Sequence, residues 1–419
     1  MQSFVPVPSQ SHFSFQNLPY GVCRRHGNER CIVVALGEHI VDVTALEAMG
    51  MLDVPSMQGR RVFDSGSLND FMAQGRTVWR EVRARLQQLL AADESTLRDD
   101  AELLAQVLAP RNDVEMLLPA GIGDYTDFYS SREHATNVGT MFRGADKALQ
   151  PNWLHLPVAY HGRASSIIAS GTNVRRPLGQ SNPDNGATPI YGPSRSLDFE
   201  LEMAAFVGIG NELGQPIPIA NAEEHLFGMV LLNDWSARDI QAWEYVPLGP
   251  FLGKNFATSI SPWVVTMEAL EPFGVAAPPQ DPLPLPYLNA PRRATYDIQL
   301  EVYVQGAKMN APARVCASNF RYLYWTLAQQ VAHHAVNGCN LRPGDLLASG
   351  TISGPTPESY GSMLELSWRG SRPVKVGDET RTFLLDGDRV TMTAWCQGDG
   401  YRVGFGSVEA TILPARLED

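Results

Sequence analysis

The chain has 419 residues, 44% hydrophobic and 19% charged, the balance of a globular protein of two to three domains and not of a disordered or coiled-coil chain. A formal charge of −12 excludes a general binder of nucleic-acid backbones or anionic membranes, so an acidic ligand needs a local cationic pocket. Cys23, Cys31, Cys316, Cys339 and Cys396 are odd in number and widely spaced, which suggests a reducing compartment without disulfides or a zinc site.

The start, MQSFVPVPSQSHF, lacks the basic and apolar regions of a signal peptide, and no apolar run approaches about 18 residues, so a cytoplasmic protein with no membrane partner is expected. An excess of turn formers, 36 Gly and 30 Pro, points to a β-rich fold. From Cys31 the alternating run CIVVALGEHIVDVTAL predicts short strands around a Gly37-Glu38 turn. Between Ser67 and Leu108, apolar residues recur at helical steps (Val78, Val82, Leu86, Leu89) until Pro110 and Arg111-Asn112-Asp113 break the pattern. The break sets an expected division into domains 1–115 and 116–419. The second is mostly short strands, with helices expected at Asp234–Tyr245 and Phe320–Val336. The proline-dense stretch Pro272–Arg293 reads as a surface excursion inside that domain.

Five segments carry candidate chemistry. Asp124–His134 is dense in polar and aromatic groups, and His134 has no rival cluster: His12, His26 and His39 lie in the first domain, and His333 and His334 point to different sides of one helix. In Ser196–Met203, alternation puts Asp198, Glu200 and Glu202 on one strand face and Leu197, Phe199, Leu201 and Met203 on the other. Taken alone, such a face commonly meets solvent; repulsion among three carboxylates otherwise calls for protons or a hard cation, Ca²⁺ or Mg²⁺. On the expected helix 234–245, Asp234, Arg238, Gln241 and Tyr245 share a face, either as a solvated surface with an Asp234–Arg238 pair or as a site wall. Lys254 is a single cation in a loop shaped by Gly249 and Gly253. Glu365 falls on an expected strand, Gly361–Trp368, where a buried glutamate needs a partner.

These segments together resemble the fumarylacetoacetate hydrolase family: Tyr125-Thr-Asp127-Phe-Tyr129 with His134, Ser196-Leu-Asp-Phe-Glu200-Leu-Glu202, Asn233-Asp-Trp-Ser-Ala-Arg238-Asp-Ile-Gln241, Gly253-Lys254, Ala348-Ser-Gly-Thr351, and Gly361-Ser-Met-Leu-Glu365. The match is dense over about 115–410 and weaker in the first domain. The resemblance implies a mainly β fold with some α: a small SH3-like barrel with a helical segment, then a mixed β-sandwich or β-roll catalytic domain, assembled as a homodimer. It implies metal ligands Asp127, Glu200, Glu202 and Asp234, with Lys254 and Thr258 around the cation, although an ammonium is a poor ligand and Lys254 is better aimed at substrate. Asp198 is not a ligand in that pattern. The implied substrate contacts are Tyr129, Arg143, Gln241, Tyr245 and Thr351; His134 is the base, Glu365 its orienter, and Arg238, Gln241 and Lys254 oxyanion donors. The implied reaction is metal-dependent hydrolysis of a carbon–carbon bond in a dicarboxylate diketone, 4-fumarylacetoacetate. Acylpyruvate hydrolysis, oxaloacetate decarboxylation, dienoate isomerisation and a calcium-binding structural module remain as alternatives.

Overall fold

The computed structural model describes residues 2–416 except 26, 28, 184, 185, 187 and 291–293; His26 and the last three residues of the proline-dense stretch therefore lie outside the described residues. The architecture is mainly β with some α. The Cys31 run forms antiparallel strands Glu29–Leu36 and His39–Asp42, joined through Gly37 at φ +59°, a left-handed geometry that favours glycine. With Tyr20–Arg25, Leu108–Pro110 and Glu115–Leu117 they make a five-stranded sheet. The helical stretch is broken where a single pattern was expected: Arg76–Leu89 is the one long helix, followed by the short Ser95–Arg98 and Ala101–Val107. Glu94 and Asp100 cap the two short helices by accepting from Thr96 and Leu103 N–H groups, so the polar residues between them restart the helix instead of continuing it.

Beyond this module, an eight-stranded sheet runs in the order Ala159–His161, Tyr125–Phe128, Leu346–Ala348, Leu201–Val207, Leu226–Asp234, Thr258–Ile260, Ile167–Ala169, with Val265–Thr266 pairing to Leu226–Asp234. Both of its faces are covered. Along Leu201–Val207, Leu201, Met203, Ala205 and Val207 pack with Val302, Met392 and Ala394 of the five-stranded sheet built on Gln299–Gln305 and Arg389–Gln397. Ala204 and Phe206 point the opposite way, into a core shared with Phe71, Trp79 and Val82 of the first module. The period of two thus divides one strand between two cores. The second face also carries Tyr125, Val230, Leu232, Ile260 and Ala348. Asp127, Glu202, Asp234 and Thr258 stand at the same parity in their strands, and the register sets Asp127 against Ala348 and Asp234 against Thr258.

Three further expected elements differ. Asp234 ends the strand Leu226–Asp234, and the helix after it is only Arg238–Glu244; pairing with Leu201–Val207 and Thr258–Ile260 outweighs the helical periodicity of its sequence. Phe320–Val336 divides into a 3-10 turn, Phe320–Tyr322, and a helix, Leu327–Ala335, opened by a Thr326–Gln329 capping box. Glu365 lies in a helical turn, Met363–Leu366, capped by Ser362, and not on a strand. Among the described residues, no helix is long and apolar enough to cross a membrane.

Candidate active site

The acidic segment is interrupted between Leu197–Asp198 and Leu201–Val207, and its carboxylates do not meet solvent: Asp198, Glu200 and Glu202 are all buried. Asp127, Glu202 and Asp234 offer oxygens lying within 4.8 Å of one another. Asp127 Oδ1 and Glu202 Oε1 have no hydrogen-bond partner among the described residues. Burial, reinforced by mutual repulsion, pushes the Asp127 carboxyl up to about 8 and raises Glu202 and Asp234 as well. Orphaned oxygens on converging buried carboxylates fit a hard divalent cation.

Glu200 is set apart from that trio. Its Oε1 accepts from Arg238 Nη2 at 2.7 Å, and its Oε2 accepts from the Lys254 ammonium. Burial works against its charge, but Arg238 and Lys254 outweigh burial and hold it below the usual carboxylate range. Lys254 also donates to Asp234 Oδ2 at 2.6 Å, and Thr258 Oγ1 donates to Asp234 Oδ1 at 3.0 Å. The ammonium faces two carboxylates, because a buried cation requires counter-charge.

His134 lies in the helix Arg132–Arg143, whose cap is Ser131 accepting from the His134 N–H. Its ring is buried, with Nδ1 2.7 Å from Glu365 Oε2. Ser353 and Ser362 hydroxyls donate to the same oxygen at 2.8 and 2.9 Å, and Asn137 Nδ2 donates to Oε1 at 2.9 Å. Burial opposes the Glu365 charge, yet His134 and these donors keep its carboxyl below the usual range.

Arg238 does not pair with Asp234. Its guanidinium reaches Asp198 Oδ2 through Nε at 2.8 Å, Glu200 through Nη2, and Gln241 Oε1 through Nη1 at 3.2 Å. Tyr129 meets His134 edge to face at 5.2 Å; burial, then Glu365 and Glu200, raises its phenol. Thr351 is buried. Of the other two expected substrate contacts, Arg143 bonds the Lys147 and Ala148 carbonyls at 3.1 and 2.6 Å and acts electrostatically on the Tyr129 phenol, and Tyr245, past the short helix, is 49% exposed. Trp235 and Ile240 are buried as apolar packing requires, whereas Trp243 is exposed.

A cavity of about 200 Å³ opens onto Tyr160, Asp234, Phe251, Lys254 and Thr258. A larger one, about 500 Å³ beside Arg76, Glu223 and Tyr296, is lined by none of these groups; the charges, not the volume, locate the site. Sequence reasoning missed Tyr160, whose hydroxyl donates to Asp234 Oδ2 at 3.1 Å, and Asn137, Ser353 and Ser362 around Glu365. Asn137 left a signal, three residues beyond His134 on one helix face, and Ser362 stood without a role inside the Gly361–Glu365 motif.

Known proteins resemble the chain along nearly its whole length. The model "Fumarylacetoacetate (FAA) hydrolase C-terminal" matches residues 124–413, and "Fumarylacetoacetase N-terminal" matches residues 16–119. The chain is 60% identical to the fumarylacetoacetase of Bos taurus over 99% of both chains, and 58% and 54% identical to those of Homo sapiens and Arabidopsis thaliana over 99% of each chain. A fumarylacetoacetate hydrolase from Exiguobacterium antarcticum superposes with a TM-score of 0.54 at 18% identity, over 95% of this chain and 100% of that one. A maleylpyruvate hydrolase from Sphingobium superposes with a TM-score of 0.51 at 15% identity, over 94% and 100%; at such identity these two superpositions speak to the fold alone. With matched models spanning nearly its whole length and relatives this similar, the chain belongs to the fumarylacetoacetate hydrolase family.

Proposed function

We propose that this chain hydrolyses the carbon–carbon bond of 4-fumarylacetoacetate to fumarate and acetoacetate, the last step of tyrosine and phenylalanine breakdown and the activity its relatives' names carry. The observation that carries the chemistry is the buried 2.7 Å contact of His134 Nδ1 with an ionised Glu365. With the proton held on Nδ1 by that bond, the Nε2 lone pair is free to take a proton from water. The hydroxide equivalent adds to a ketone carbon of the substrate. Arg238, Gln241 and Lys254 are assigned to the oxyanion of the adduct, where fixed donors stabilise developing charge. Collapse breaks the carbon–carbon bond, its electron pair leaves with the acetoacetate carbon, and the imidazolium of His134 returns the proton there. Glu365 stabilises that imidazolium throughout.

Asp127, Glu202 and Asp234 would hold a divalent ion, Ca²⁺ or Mg²⁺, with Glu200 as fourth ligand and Lys254 and Thr258 beside it. Such an ion supplies Lewis acidity and a template for diketone oxygens. Tyr129, Arg143, Gln241, Tyr245 and Thr351 are assigned to the bound dicarboxylate. We also assign residues 1–115 to an SH3-like barrel domain and 116–419 to the β-roll catalytic domain of a cytoplasmic homodimer, on the resemblance described above. Product analysis tests the activity: with Ca²⁺ or Mg²⁺ present, fumarate is released, and His134→Ala keeps its metal affinity while losing turnover by about 100-fold or more. No fumarate from the unaltered protein, or unchanged turnover in His134→Ala, refutes the reading.

A further inference from the structure

Asp198 belongs to the acidic segment yet stands outside both the converging carboxylates and the base pair. It is fully buried, and burial raises its carboxyl against the pull of Arg238. Both oxygens are used. Oδ2 accepts from Arg238 Nε at 2.8 Å and from the Leu364 N–H at 3.0 Å; Oδ1 accepts from the Met363 N–H at 2.7 Å. Met363 and Leu364 immediately precede Glu365 in one helical turn. Glu365 in turn bonds His134. The main chain reinforces the link, since Glu200 forms an isolated bridge with Ser362 and the Leu201 N–H donates to the Gly361 carbonyl.

From this geometry we propose that Asp198 is a positioning residue that sets the guanidinium of Arg238 and the carboxylate of Glu365 relative to each other. Arg238 and Glu365 come from separate segments, 127 positions apart in the chain, and one rigid anion with three short contacts fixes both. Arg238 is anchored through Nε, which directs its Nη groups toward Glu200 and Gln241. The turn bearing Glu365 is anchored through two consecutive N–H groups, which directs the side chain toward His134. Charge-assisted bonds of this kind are strong and directional. A buried carboxylate that only balanced charge would need Arg238 alone, and the two N–H contacts go beyond that requirement.

The inference rests on the proposed hydrolase reading, and the experiment separates the two. Asp198→Asn is isosteric but cannot accept from Arg238 and both N–H groups at once. It is expected to lower kcat on fumarylacetoacetate by about 10- to 100-fold, the scale of small misplacements in an active site. KM is expected to stay within about twofold, and Ca²⁺ affinity measured by calorimetry to be unchanged. In the cycle with Glu365→Gln, the double variant is expected to lose less than the product of the two single losses, because both act partly through one carboxylate. Wild-type kcat per folded molecule in Asp198→Asn, or strictly multiplicative losses, overturns the proposal and leaves Asp198 a stabilising residue only. If Asp198→Asn does not fold, Asp198→Glu keeps the anion but shifts it by one methylene; the same fall in kcat supports the proposal, and wild-type kcat overturns it. An inactive unaltered protein instead overturns the hydrolase reading, and the inference with it.

Discussion

Replacing Glu365 by Gln removes one charge while keeping size and most hydrogen bonds, so its effect can be worked from the contacts. If the amide oxygen takes the place of Oε2, it still accepts from His134 Nδ1, Ser353 and Ser362. The amide nitrogen then faces Asn137 Nδ2, a donor opposed to a donor that a turn of the Asn137 amide relieves. The fold should survive. What is lost is the attraction between a carboxylate and the imidazolium formed during turnover: opposite charges about 4 Å apart attract by about 4 kcal/mol at the effective dielectric of a protein site. The remaining neutral hydrogen bond recovers about 1 kcal/mol. The net, about 3 kcal/mol, corresponds to a loss in kcat of about 100-fold. The assay is fumarate release at saturating substrate and metal, with the folded fraction measured on the same samples. A kcat within about threefold of wild type would show that the carboxylate charge at His134 does not assist the reaction.

The converging carboxylates predict proton-linked metal binding. Asp127 is raised to about 8 and Glu202 well above the usual carboxylate range, so the metal-free fold favours their neutral forms, while Asp234, though raised by burial, keeps the Lys254 ammonium as counter-charge. A raised acid pKa contributes stability that is present below the ordinary carboxylate range and is lost as pH climbs through about 8. Metal affinity should therefore rise with pH up to about 8, with proton release detectable by calorimetry in buffers of different ionisation heat; affinity independent of pH would count against the mutual repulsion. Lys254→Met strands Glu200 and Asp234 without their shared cation. It should destabilise the metal-free protein by about 3–5 kcal/mol in denaturant unfolding, less with saturating Ca²⁺, whereas an unchanged unfolding free energy would show that the ammonium is dispensable.

Local patterns in the sequence carried much of the fold. Period-two alternation marked the strands around Gly37 and assigned Leu201 and Met203 to a core, because a pleated strand turns successive side chains to opposite faces whatever surrounds it. The family motifs singled out His134, Glu365, Glu202 and Asp234, the residues that the site draws together. Periodicity failed where tertiary pairing outweighs it: Asp234 reads as helix but ends a strand held between two neighbours, with Asn233 paired to Leu201 and Asp234 to Thr258. It failed also where a turn is too short to show a period, as at Met363–Leu366.

Spacing along the chain carried no information on which groups from distant segments meet. That Glu200 faces Arg238 and Lys254, while Asp127, Glu202 and Asp234 converge on one another and Lys254 bridges Glu200 to Asp234, follows from sheet register and from a break in the strand after Asp198. That Asp198 joins Arg238 to the turn before Glu365 follows from a contact across 166 positions. The sequence by itself determined which groups were available and which strands could bury them. Only the tertiary structure decided which charges are neutralised by protein and which are left for a cation, because that depends on distances within a few ångströms in a medium where an unpaired charge is too costly to keep.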